Sequence, residues 1–151
     1  MPILRLAAAA IAAVIALAST AYAAKPEIYT GRFNNLAVGG YDTVAFFDDG
    51  QPVKGEKEFS TEWKGAEWRF KDEANLEKFK AHPEAFAPQY GGYCAWAMAQ
   101  GKLAPGYAEY WTVRDGKLYL NFSQKIQDKW LADPDGFIAK ADEIWPGILG
   151  N

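Results

Sequence analysis

Cys94 is the only cysteine in this sequence of 151 residues, and it follows the glycine-rich run Tyr90-Gly91-Gly92-Tyr93. A thiol can act as a nucleophile, as a redox centre or as a ligand for a soft metal ion. With no second cysteine, it cannot form a disulfide within the chain. Cys94 is therefore the first candidate for chemistry, although free cysteines are also often buried, inert core residues.

Two further side chains could join Cys94 in a metal site. Met98 follows four residues later, so both side chains would lie on one face of a helix. His82 is the only histidine. Thiolate, thioether and imidazole ligands together suit copper, especially Cu(I). The sequence therefore predicts a metal site of Cys94, Met98 and His82, with copper or another soft metal as the expected cofactor. In the alternative, Met98 fills the core and His82 is exposed at a helix end.

Two other classes of function stay open. In a thiol-based redox protein Cys94 would be the catalytic residue, activated at a helix N-terminus, but the chain offers no resolving cysteine. In a non-catalytic interaction module, a pocket near Gly91 and Gly92 would be lined by aromatic side chains. Its candidate walls are Trp96, Tyr107, Tyr110 and Trp111. Whether the protein is an enzyme is left undecided.

The segment around Cys94 indicates how the thiol is held. Gly91 and Gly92 can adopt positive φ and turn the chain sharply. The alanines that follow favour a helix beginning near Gly92 or Tyr93, and Gly101 is suited to a left-handed cap at its end. Cys94 would then lie in the first helical turn, where the helix dipole favours a thiolate.

The rest of the chain reads as short strands and short helices. Residues 43–47 have the composition of a strand, and two hairpins are predicted over 59–70 and 111–121, with turns at Lys64-Gly65 and Asp115-Gly116. Asp72 and Ser123 mark helix starts, and Asp133-Pro134 breaks the second of these helices before a last one. No internal repeat is apparent in the letters. This mixture predicts one compact α+β domain of antiparallel hairpins and several short helices.

The N-terminus predicts export. Arg5, an apolar run from Leu6 to Leu17 and the pattern Ala21-Tyr22-Ala23 are typical of a cleaved signal peptide over residues 1–23, and the run is short for a membrane span. We expect a periplasmic mature protein with no membrane span. It would comprise a flexible arm over residues 24–37 and a domain over residues 38–149.

The charge of the chain argues against one class of partner. The formal net charge is −3, and removal of Arg5 with the leader makes it more negative. An acidic chain without runs of lysine or arginine is a poor candidate for nucleic-acid binding. The partners stay unknown, and other metal or redox proteins of the envelope are the ones to be expected.

Several sequence motifs follow one another in a characteristic order. They are Trp68-x-Phe70, Asn75-Leu76-x-x-Phe79, Pro83-Glu84-x-Phe86-Ala87-Pro88-Gln89-Tyr90 and Gly91-Gly92-Tyr93-Cys94-Ala95, flanked by Gly40-Tyr41-Asp42-x-Val44-Ala45, by Asp115-Gly116-Lys117-Leu118-Tyr119-Leu120-Asn121, by Trp130 and by Trp145-Pro146-Gly147. These motifs resemble the YHS domain family, and the flanks resemble its exported bacterial branch, some members of which are selenoproteins.

The resemblance implies a metal-handling or redox role. In compact YHS domains the ligands are thought to be two cysteines, one just after the second strand and one in the next helix. Those places here hold Lys71 and the stretch around Ala74 and Asn75, so that pair is absent. The exported branch keeps a cysteine at the position of Cys94. A selenocysteine at that position in relatives would imply redox or soft-metal chemistry.

Overall fold

The computed structural model describes residues 24–150, so the predicted signal peptide lies outside the described residues. The described part has the expected α+β architecture. It contains helices α1 (Thr43–Asp48), α2 (Glu73–Ala81), α3 (Pro83–Phe86), α4 (Ala95–Ala99), α5 (Gln124–Leu131) and α6 (Pro134–Ile144), and strands β1 (Glu56–Trp63), β2 (Ala66–Phe70), β3 (Tyr107–Arg114) and β4 (Lys117–Asn121).

The two predicted hairpins are confirmed. β1 pairs with β2 and β3 with β4, both antiparallel, in two separate two-stranded sheets. The connecting dipeptides Lys64-Gly65 and Asp115-Gly116 have positive φ throughout, which is the conformation that tight hairpin turns require. Each hairpin also carries one irregularity, after the first residue pair of its longer strand.

The predicted helix starts are also confirmed. The side chain of Asp72 accepts a hydrogen bond from the N–H of Asn75, and Ser123 accepts one from Ile126. Pro134 occupies the first turn of α6, where its missing N–H leaves no intrahelical bond unmade. Side-chain caps therefore fix the starts of these helices.

The strand predicted for residues 43–47 is wrong, because these residues form α1. Asp42 caps this helix by accepting a hydrogen bond from the N–H of Ala45 at 3.1 Å. Residues Thr43 to Phe46 are all at most 1% exposed. Because α1 is buried on several faces, its apolar residues do not follow the helical period, and its β-branched and aromatic composition favours a strand instead.

The structure contains an internal repeat that is not apparent in the amino-acid sequence. The order 3-10 turn, helix, strand, strand, helix, helix occurs twice, first from Val38 to Phe86 and again from Gln89 to Ile144. The turn glycines Gly65 and Gly116 lie 51 positions apart, as do the helix-starting prolines Pro83 and Pro134. We call the first stretch copy 1 and the second copy 2.

Packing supports the equivalence of the two copies. In copy 1 the rings of Trp68 and Phe79 stack with centroids 4.9 Å apart. Their counterparts 51 positions later, Tyr119 and Trp130, pack at 5.1 Å. One hydrophobic cluster is centred on each pair, and β4 contributes to both, with Leu118 and Leu120 in the first cluster and Tyr119 in the second.

The segment expected to be a flexible arm, residues 24–37, is packed against the domain in the structure. Ile28 and Ala37 are buried. The N–H of Tyr29 donates to the carbonyl oxygen of Gly91 at 2.9 Å, and the hydroxyl of Tyr93 donates to the carbonyl oxygen of Pro26 at 2.8 Å. The arm therefore lies directly over the segment that leads to Cys94.

Candidate functional site

Cys94 is the N-cap residue of α4, immediately before the helix rather than inside its first turn. The predicted glycine turn is present, because Tyr90, Gly91 and Gly92 all have positive φ, and Gly101 has φ of 74° where the helix segment ends. Cys94 is only 1% exposed. Its Sγ donates to Oδ1 of Asn121 at 3.5 Å.

Burial dominates the electrostatics of this thiol. Removal from water raises the pKa of Cys94, because the charged thiolate loses its hydration. The backbone N–H groups of Ala97, Phe122 and Trp96 act in the opposite direction and favour the thiolate. The net rise is opposite to the lowering expected for a helix N-terminus. The resting thiol is therefore protonated at neutral pH.

The three predicted metal ligands are placed differently. Met98 is fully buried one helical turn after Cys94, and its N–H donates to the carbonyl oxygen of Cys94 at 3.0 Å. His82 is exposed at the end of α2. No hydrogen bond within residues 24–150 joins His82 to the other two. Those residues also contain no group of three or more His, Cys, Asp or Glu side chains suited to hold a metal ion.

Asp42 is a buried carboxylate that joins three elements of copy 1. It is fully buried, and its Oδ2 accepts hydrogen bonds from the N–H of Lys71 at 2.9 Å and from Nδ2 of Asn75 at 2.8 Å. Lys71 directly follows β2 and Asn75 lies in α2, so the side chain that caps α1 also ties it to both.

The repeat makes Cys94 the counterpart of Asp42. Each residue follows the Gly-Gly-Tyr sequence of its copy and precedes its short first helix. Asp42 accepts from the N–H groups of Ala45 and Lys71, and the corresponding N–H groups in copy 2, those of Ala97 and Phe122, favour a charge on Cys94. Cysteine is not among the preferred N-cap residues, so capping alone does not account for it.

Sequence reasoning missed Asn121 as a member of this site. Asn121 is fully buried at the end of β4, and its Oδ1 also accepts from the N–H of Trp96 at 3.1 Å. Its Nδ2 has no partner among the described residues, and the same holds for Nε1 of the buried Trp130. In the sequence, a buried polar residue at the end of a strand cannot be distinguished from a solvent-exposed one. Only the 51-position offset between the copies, which aligns Asn121 with the core residue Phe70, could have indicated its burial.

Two grooves border the segments where an aromatic pocket was expected. One of about 210 Å³ is lined by residues of the motif 83–91 together with Glu27, Trp63, Lys64 and Trp145. Tyr107, one of the four predicted walls, borders another of about 170 Å³ that is also lined by Tyr29 and Tyr41. Gly91 does line the first groove, so one groove lies where the glycine pair indicated, with different walls.

None of the helices formed by residues 24–150 combines the length and the apolar character that crossing a membrane requires.

Comparison with known proteins identifies one family. No curated protein matches the chain, and no solved structure does. The family model described as the YHS domain matches residues 44–90, which run from α1 to the start of copy 2. Residues 44–90 of this chain are therefore similar to the YHS domain family.

Proposed function

We propose that this protein is a periplasmic metal-handling module whose soft-metal ligand is Cys94. The observation that carries the proposal is a cysteine in place of a preferred capping residue, faced by backbone N–H groups, with a thioether one turn away. YHS domains are commonly linked to metal handling, which agrees with this assignment. Copper as Cu(I) suits the ligand chemistry best, because thiolate and thioether sulfur are soft donors.

Cys94 and Met98 are the two residues that would hold the ion. Cys94 caps α4 and Met98 lies within it, and both are buried, so they offer sulfur donors shielded from water. The N–H groups of Ala97, Phe122 and Trp96 would stabilise negative charge on the sulfur once its proton has left. His82 stays outside this pair, because it is exposed at the end of α2.

Burial sets two conditions on this function. Cys94 must lose a proton when a metal ion binds, so binding should strengthen as the pH rises. The ion must also gain access by a local opening of the segment around α4. That opening would move the N-terminal arm, which is hydrogen-bonded to Gly91 and Tyr93.

The experiment is a competition for Cu(I) between the mature protein and a chromophoric Cu(I) chelator. The wild-type protein should remove one equivalent of Cu(I), Cys94→Ser should remove none, and Met98→Leu should bind more weakly. His82→Ala is the matched control and should behave as wild type. Equal competition by wild type and Cys94→Ser would refute the site.

Labelling of the thiol separates the alternatives. A small thiol reagent should modify Cys94 slowly in the native protein, and bound Cu(I) should block this reaction. Formation of a sulfenic acid with peroxide, without protection by Cu(I), would favour a redox protein. Labelling only after unfolding would leave a non-catalytic interaction module. Intact mass of the protein recovered from the periplasm would test cleavage after residue 23.

A further inference from the structure

The groove of about 170 Å³ is lined by three tyrosines, and we call it the tyrosine groove. Tyr29 comes from the arm, Tyr41 from the turn before α1, and Tyr107 from the start of β3. Burial raises the pKa of Tyr29, and the adjoining side chain of Tyr107 raises it further. The remaining lining residues are small or apolar, apart from Asn34 and Glu109, and no described lysine or arginine lines the groove. The groove thus combines aromatic rings with one negative charge.

The ring of Tyr41 is unengaged, unlike that of its counterpart in copy 2. Tyr41 and Tyr93 each follow the Gly-Gly pair of their copy. Tyr93 packs on Tyr29 and Trp145, with ring centroids 5.5 and 6.2 Å apart, and its hydroxyl donates a hydrogen bond to the arm. The side chain of Tyr41 is half-buried and makes neither a hydrogen bond nor a ring contact within the described part of the chain. Its ring is therefore available to a ligand in the groove.

Glu109 places a carboxylate at the groove that no described residue neutralises. It is exposed on β3, as is Tyr107, whereas Ala108 between them is buried. Glu109 makes no ion pair or side-chain hydrogen bond with any residue that the structure describes. A cation is attracted both by such a carboxylate and by the negative faces of aromatic rings. The charge of the groove therefore favours a cationic ligand.

The composition of the lining selects among cations. A divalent metal ion takes six or more oxygen ligands, whereas the lining contains one carboxylate. An ammonium or guanidinium group with N–H donors loses its bonds to water and needs several acceptors in their place. A quaternary ammonium group has no N–H, so aromatic faces and a single counter-charge are sufficient to replace its hydration.

We propose that the tyrosine groove binds a small quaternary ammonium compound, with the three tyrosine rings against its methyl groups and Glu109 balancing its charge. The groove is smaller than the roughly 300–1,000 Å³ of sites for drug-sized ligands, which suits a ligand of few atoms. This inference goes beyond the proposed function and does not involve Cys94.

Choline is the probe, and the control ligand is its neutral isostere, in which a quaternary carbon replaces the nitrogen. Saturation-transfer NMR detects the bound ligand, and titration of the choline methyl resonance with the mature protein gives the dissociation constant. Choline should bind saturably, and the isostere should bind at least about fivefold more weakly, because it has the shape without the charge. Glycine betaine should also bind more weakly than choline, because Glu109 repels its carboxylate.

Two variants locate the ligand in the groove. Tyr41→Leu should weaken choline binding about fivefold by removing one aromatic face. Glu109→Gln should weaken it up to about fivefold by removing the counter-charge, and it keeps the test valid if Tyr41→Leu does not fold, since Glu109 is exposed. Tyr110→Leu is the matched control, because Tyr110 lies on the same strand but does not line the groove. It should bind choline as wild type does.

Three results would overturn the proposal. Without saturable binding of choline there is no site, and equal binding of choline and its isostere would mean that the groove is merely apolar. Wild-type affinity in the folded Tyr41 and Glu109 variants would mean that choline binds elsewhere. Cys94→Ser should bind choline as wild type does, so this test and the competition for Cu(I) can fail independently.

Discussion

Substitution of Gly91 by alanine should detach the N-terminal arm. A Cβ at this position would overlap the carbonyl oxygen of Glu27 and lie 2.8 Å from its carbonyl carbon. Both atoms are backbone, so no side-chain rotation can relieve the contact. Gly91 also has φ of 63°, a region that alanine adopts at a cost of about 1–2 kcal/mol.

The magnitude follows from what the arm loses. Detachment breaks the hydrogen bonds from Tyr29 to Gly91 and from Tyr93 to Pro26, each worth about 1 kcal/mol. It also exposes Ile28, which is 4% exposed when docked and whose burial stabilises by about 1.5–3 kcal/mol. With the strain of the turn, the unfolding free energy should fall by at least about 4 kcal/mol.

Gly92→Ala is the matched control. Gly92 has φ of 89°. A Cβ at this position would lie 3.4 Å from its nearest neighbour, Cγ of Pro88, which is an ordinary contact. Only the conformational cost of about 1–2 kcal/mol should therefore appear. Urea denaturation measures both variants, and limited proteolysis should cut the arm only in Gly91→Ala. Equal stability of the two variants, with a protected arm in both, would refute the reasoning.

Three further predictions concern the two capping pockets. Cys94→Ser should stay within about 1 kcal/mol of wild type in urea denaturation, because a hydroxyl caps α4 and can donate to Asn121, whereas Cys94→Leu should lose more. Burial raises the pKa of Cys94, so the folded protein holds this proton more tightly than the unfolded protein does. Above about pH 8.5 the wild type should therefore lose stability relative to Cys94→Ser, by up to about 1.4 kcal/mol per pH unit. Parallel pH profiles of the unfolding free energy would contradict this. Asp42→Asn should lower the unfolding free energy by about 2–3 kcal/mol in the same assay, because the carboxylate accepts three hydrogen bonds, and a wild-type midpoint would contradict its structural role.

Local rules predicted most of the fold. Hairpin turns at Lys64-Gly65 and Asp115-Gly116, and helix starts at Asp72 and Ser123, depend on the residues at the turn or cap itself. The prediction for residues 43–47 was wrong because burial on several faces removes the helical period from their sequence. The repeat is not apparent from the sequence because the copies share little beyond their Gly-Gly-Tyr turns, the glycine of each hairpin turn and the proline that begins each last helix.

The candidate site was predicted in part. Cys94 was identifiable as the only thiol, and its place after the glycine turn was correct. Its burial could not be predicted, because composition does not reveal which element covers a short helix. Asn121 was not identifiable, since its importance depends on contacts with residues 25 and 27 positions away. The contacts of residues 24–37 with the domain could not be predicted, because several of them involve backbone atoms.

The sharing of β4 between the two hydrophobic clusters has a consequence for how this fold can be divided. Leu118 and Leu120 fill the cluster of copy 1, although they belong to copy 2. A fragment ending at residue 90, where the family match ends, would leave that cluster open on one side. We therefore expect the first copy not to fold stably on its own. A protein carrying a single copy would have to borrow the missing wall from a second subunit or a neighbouring domain.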